Sequence, residues 1–74
     1  MSVLRIMDHN GDTEAKWDID NAVSVKKAKR EFDDALFYKR YQAFRIDGPG
    51  GGELIREFDP KAETIVMNAP LIGG

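Results

Sequence analysis

The chain has 74 residues, 11 basic and 13 acidic side chains, one histidine and no cysteine, a length that holds one domain and excludes two. Without cysteine, neither a disulfide framework nor a thiolate zinc site supplements the core, and a composition 42% hydrophobic and 32% charged belongs to folding chains rather than disordered ones. No apolar run approaches the roughly 18 residues of a membrane span, and Met1 to Met7 lacks the basic start and hydrophobic stretch of a signal peptide, so a cytoplasmic protein with no membrane partner is expected.

Val3-Leu4-Arg5-Ile6-Met7 is rich in β-formers, and Thr13-Glu14-Ala15-Lys16-Trp17 alternates with period two. Between them Asp8-His9-Asn10-Gly11-Asp12 holds an Asn-Gly pair, which tolerates the positive φ of a tight turn, so an N-terminal β-hairpin is predicted. Asp20 or Asn21 then caps a helix, because a start at Ser24 would put Lys26 and Lys27 in the first turn, against the helix dipole. Val25, Ala28, Phe32, Ala35 and Leu36 form one apolar stripe, and the helix is expected from about Ala22 to Tyr38 or Lys39.

Gln42 to Asp47 alternates again, Gly48-Pro49-Gly50-Gly51-Gly52 interrupts regular structure, and Glu53 to Phe58 resumes extended character, which reads as a second hairpin with a mobile tip. Asp59-Pro60-Lys61-Ala62-Glu63 makes a further turn, and Thr64-Ile65-Val66-Met67 is a last β-branched strand. The order is ββαβββ, an α+β fold with one helix on a mixed sheet. Strand alternation turns Leu4, Ile6, Phe44, Ile46, Ile65 and Met67 toward the helix and leaves Val3, Arg5, Met7, Arg45 and Val66 on the outer face. Residues 1–68 form the domain and 69–74 a flexible tail.

Charge is uneven, with a net −4 over residues 8–20, +4 over 26–45 and −3 over 47–63. Lys26, Lys27, Lys29, Arg30, Lys39, Arg40 and Arg45 make the middle basic, but a pI near 5.3 lacks the footprint of a nucleic-acid binder, and a solvated helix face explains the same residues. For catalysis there is no cysteine nucleophile, His9 falls in a turn without an assignable Ser or acid partner, and Asp33 and Asp34 are adjacent and so face different directions. An enzyme is not expected. Asp8-His9-Asn10-Gly11-Asp12 starts like a calcium loop, but Thr13 stands where that loop needs Gly and Ile19 where it needs a bidentate Glu, so no metal is expected. The glycine-rich loop is followed by Glu53 and Leu54, not by Lys and Ser or Thr at a helix start, so it reads as a hairpin tip and not a phosphate cradle.

The end of the chain differs from these. Gly73 and Gly74 carry no side chains, and such a pair can thread a narrow slot and present its α-carboxylate to a second protein. A β-hairpin, one amphipathic helix and further strands, followed by Ala69-Pro70-Leu71-Ile72-Gly73-Gly74, resembles the ubiquitin-like β-grasp superfamily, and the tail is similar to the endings of molybdopterin- and thiamine-type sulfur carriers. Pro70, Gly73 and Gly74 match that pattern, while Ala69 stands where many sulfur carriers have a second proline. The resemblance implies that an activating enzyme adenylates the Gly74 carboxylate, which then becomes a thiocarboxylate or an acyl donor, with Pro70, Leu71 and Ile72 recognised alongside it. ATP is then used by that enzyme and no cofactor is bound by this chain. A sulfur-acceptor enzyme or target-protein lysines are the further partners implied, and Lys16, Lys26, Lys27, Lys29, Lys39 and Lys61 are possible acceptors on the chain itself. A second reading makes the outer sheet face of Val3, Arg5, Met7, Arg45 and Val66 a non-covalent protein-binding module.

Overall fold

A computed structural model describes residues 1–8 and 11–69. Strand β1 (Ser2–Asp8) pairs antiparallel with β2 (Gly11–Trp17), and the ladder closes with Asp8 opposite Gly11. Gly11 has φ +119°, which a side chain resists, so the glycine of the Asn-Gly pair is used; His9 and Asn10 lie outside the described residues. Helix α1 (Ala22–Asp33) starts at Asn21, one of the two expected caps, whose side-chain oxygen accepts the Ser24 N–H at 3.1 Å. The Ser24 hydroxyl in turn accepts the Asp18 N–H at 3.0 Å and fixes the approach of the chain from β2.

The helix reaches its expected end, but not as an α-helix throughout. From Asp34 to Tyr38 it winds as a π-helical turn, closed by Lys39 N–H to the Asp34 carbonyl at 3.3 Å and Tyr41 N–H to the Ala35 carbonyl at 3.0 Å. The looser winding accommodates the neighbours Ala35 and Leu36, which both pack against the core. Arg40 then takes φ +60° and turns the chain into β3 (Gln42–Ile46).

β3 pairs with β4 (Gly52–Ile55), and β5 (Thr64–Asn68) enters the middle of the sheet, parallel to β1 and antiparallel to β3. The resulting order is β2-β1-β5-β3-β4, a five-stranded mixed sheet with the helix on one face, built in the expected sequence ββαβββ. No helix among the described residues is long and apolar enough to cross a membrane.

Two sequence expectations are corrected. Strand β4 stops at Ile55 instead of running to Phe58, because Phe58 turns into the core and packs with its ring centroid 5.0 Å from Trp17 and 5.7 Å from Phe32. Phe44 and Ile46 do not face the helix. In the ladders Ala43 lies opposite the buried Met67 and Phe44 opposite Val66, so Ala43 and Arg45 share the helix side while Phe44 and Ile46 share the outer one. The phase is reversed because Arg45 is held on the helix side by carboxylates of the chain that follows it, and because the small Ala43 leaves room there for Met67 and for Ile55, which lies opposite it in β4.

The core is Leu4, Ile6, Trp17, Ala28, Phe32, Ala35, Ala43, Ala62, Ile65 and Met67. Burying the larger of these side chains stabilises the fold by about 1.5–3 kcal/mol each. Trp17 is fully buried, yet its ring N–H donates to the Pro60 carbonyl at 3.0 Å, so its one polar side-chain atom is satisfied inside the core. That bond also ties the connection between β4 and β5 to the end of β2.

Candidate functional site

The features that could engage a partner are the tail, the end of the sheet from which it leaves, and the sheet face away from the helix. Pro70, Leu71, Ile72, Gly73 and Gly74 lie outside the described residues. The chain is described to Ala69, immediately after β5. Because β5 is parallel to β1 and antiparallel to β3, its last residue, Asn68, lies between Met7 and Gln42. Next to this end Lys39 Nζ stands 4.0 Å from the Asp8 carboxylate and 5.9 Å from the centre of the Tyr41 ring. Burial raises the Tyr41 phenol above its ordinary pKa, and the hydrogen bond and negative charge of Asp8 act in the same direction. Strand β5 therefore ends at a structured, mixed-charge corner.

The sheet face opposite the helix carries Val3, Arg5 and Met7 from β1, Val66 from β5, Phe44 and Ile46 from β3, and Leu54 from β4, as the pairing registers require. It divides into two halves. On the β1–β2 side Arg5 lies 3.8 Å from both Asp12 and Glu14, and Lys16 lies 3.7 Å from Glu14; these exposed pairs contribute at most about 1 kcal/mol each. On the other side Phe44 stands opposite both Val66 and Leu54, with Ile46 two residues further along the same strand. This half is apolar, and Leu54 remains 52% exposed, more than a core-forming leucine would be. Gly52 sits beneath it, and a Cβ there would lie 3.3 Å from Phe44 Cβ and 3.4 Å from Ile46 Cγ1. A side chain at position 52 would crowd the patch.

Of the five residues expected on the outer face, Val3, Arg5, Met7 and Val66 are there and Arg45 is not. Arg45 Nη1 donates to Asp59 at 2.8 Å, Nε faces Asp47 at 3.0 Å and Nη2 donates to Glu53 at 3.2 Å. Three carboxylates hold its guanidinium on the helix side, and it is a structural cation. The Arg45 hydrogen bond, followed by the Lys61 N–H, lowers the Asp59 pKa below the ordinary carboxylate range. Phe44, Ile46 and Leu54 take the place of Arg45 on the outer face. The signal that finds them is the trio Asp47, Glu53 and Asp59 around Arg45, which argues for an inward Arg45 and therefore an outward Phe44.

Among the described residues no group of three or more His, Cys, Asp or Glu side chains is placed to hold a metal ion. The Gly48–Gly52 segment turns through Gly48 at φ +80° and Gly51 at φ +90° and joins β3 to β4, strand to strand, with no helix at its end. Comparison with protein-family models, with curated proteins and with solved structures gave no match in any of the three.

Proposed function

We propose that the chain is a β-grasp carrier or modifier of the ubiquitin-like kind, whose Gly74 carboxylate is activated by a partner adenylating enzyme. The observation that supports this most is the sheet order β2-β1-β5-β3-β4, with the last strand at its centre and parallel to the first. That topology anchors the chain through Asn68 by pairing on both sides. Ala69-Pro70-Leu71-Ile72-Gly73-Gly74 follows Asn68 in the sequence. In this reading the paired strand is the anchor and Gly74 the reactive end, so that the end can enter another protein's active site while the body docks outside.

In this reading the Gly74 carboxylate attacks the α-phosphorus of ATP and pyrophosphate leaves. A sulfur nucleophile then displaces AMP to give a thiocarboxylate, or a lysine amine displaces it to give an amide. This chain supplies the acyl group and its glycine backbone, and the enzyme supplies ATP and the catalytic groups. Incubation with a candidate adenylating enzyme, ATP and a sulfide source, followed by intact-mass measurement, tests the reading. One sulfur in place of one oxygen is the expected product, and a mass unchanged with every sulfur and amine donor counts against it.

A second reading, a non-covalent protein-binding module, is favoured by the apolar half-face of Phe44, Ile46, Leu54 and Val66. Under it, Leu54→Asp abolishes partner capture and leaves the melting temperature within a few degrees, since an exposed substitution shifts stability by about 0.5 kcal/mol or less. The two readings separate on the tail, because capture by the sheet face alone is insensitive to deletion of Gly73 and Gly74.

A further inference from the structure

The outward face of α1 and its π-helical turn is covered by nothing among the described residues, and its side chains are ordered along the axis. Val23 is 78% exposed near one end, and Phe37 and Tyr38 are 64% and 84% exposed at the other. Between them four cations at 26, 27, 29 and 30 precede three carboxylates at 31, 33 and 34. This order runs opposite to the one that the helix dipole favours, so helix stability does not explain it. Lys29 and Asp33 satisfy each other at 2.6 Å. Lys26, Arg30, Glu31 and Asp34 line the same shallow groove as Phe37 and Tyr38 and make no ion pair among the described residues.

With a net charge of only +1 over residues 26–34, the face selects neither a strongly acidic nor a strongly basic partner. Its order is instead complementary to itself when reversed. We infer that the face docks a second copy of this chain, helix against helix in antiparallel orientation, about a two-fold axis near Arg30 and Glu31. Lys26 of each copy then meets Asp34 of the other, Arg30 meets Glu31, and Val23 meets Phe37 and Tyr38. Every contact occurs twice, as an isologous interface requires. The antiparallel arrangement also sets the two helix dipoles against each other favourably. This inference is independent of the fate of the tail.

A contact along roughly 20 Å of helix is small, so the dimer is a weak one, with an expected Kd of about 10 μM to 1 mM. Sedimentation equilibrium of the full chain over that range, at low salt, measures it. The parent is expected to dimerise, and Lys26→Asp and Asp34→Lys are each expected to weaken dimerisation roughly tenfold or more by placing like charges opposite one another. The double variant K26D/D34K restores the parent's affinity to within about threefold, and so does mixing the two single variants, because opposite charges again face each other. Melting curves confirm that every variant is folded. A parent that is monomeric up to about 1 mM, single reversals without effect, or a double variant as impaired as the singles would each overturn the inference.

Discussion

At Arg45 one guanidinium meets Asp47, Glu53 and Asp59, which ties β3 to the turn before β4 and to the connection after it. The same carboxylates also order the backbone: Asp59 accepts the Lys61 N–H at 2.9 Å and Asp47 accepts the Glu63 N–H at 2.8 Å. The Arg45 hydrogen bond is the main reason that the folded-state pKa of Asp59 is lowered. Its contribution to stability is therefore complete above about pH 4 and is lost as the pH falls through the folded value. Thermal melts should show the gap between the parent and Asp59→Asn narrowing as the pH is lowered from neutral to about 2. A gap that stays constant would mean that the Asp59 charge does not act through this network. Arg40 is a separate case, because its φ of +60° is strained for a side chain and free for glycine. Arg40→Gly is expected to raise stability by up to about 1 kcal/mol in chemical denaturation; a loss would mean that the arginine side chain holds the turn.

Among the elements, α1 was the most legible in the sequence because cap and stripe agree: Asn21 closes the first turn, and Phe32, fully buried between Ala28 and Ala35, lies on the predicted stripe. Phe32→Ala should cost about 3–5 kcal/mol, and a melt close to the parent's would place Phe32 outside the core. The π-helical turn was not legible, since Ala35 and Leu36 suit either winding and only the packing beneath them decides. Strand β3 shows a different limit. Alternation defines two faces without saying which is inward, and Phe44 and Ile46 outweigh Ala43 and Arg45 in apolar content; the carboxylates that reverse the assignment lie as far away in sequence as Asp59. The Gly48 to Gly51 segment holds no core residue, and beyond the chain neighbours no described heavy atom lies within 4 Å of where a Cβ would stand at Gly48, Gly50 or Gly51. Replacing these four residues by Asn-Gly, with Asp47 and Gly52 kept, should leave stability within about 1 kcal/mol. Loss of the fold would give the loop a structural part.

For the whole molecule, the mixed sheet places β1 and β5 side by side with β5 at its centre, and the described pairing is complete at Asn68, so folding and tail chemistry are expected to separate. The sequence alone carried the element order and the Gly-Gly ending; it did not carry the strand order, which depends on pairings between residues as distant as Leu4 and Ile65. The most direct measurement of the carrier reading is ATP–pyrophosphate exchange by a candidate adenylating enzyme. It would be run with the parent chain, with Gly73→Ala and with Gly73 and Gly74 deleted, alongside a thermal melt of each. Exchange is expected to be stimulated by the parent, weaker with Gly73→Ala because a methyl narrows the allowed backbone angles, and absent with the deletion, while all three melt alike. Equal exchange with the parent and the deleted chain would contradict the carrier reading.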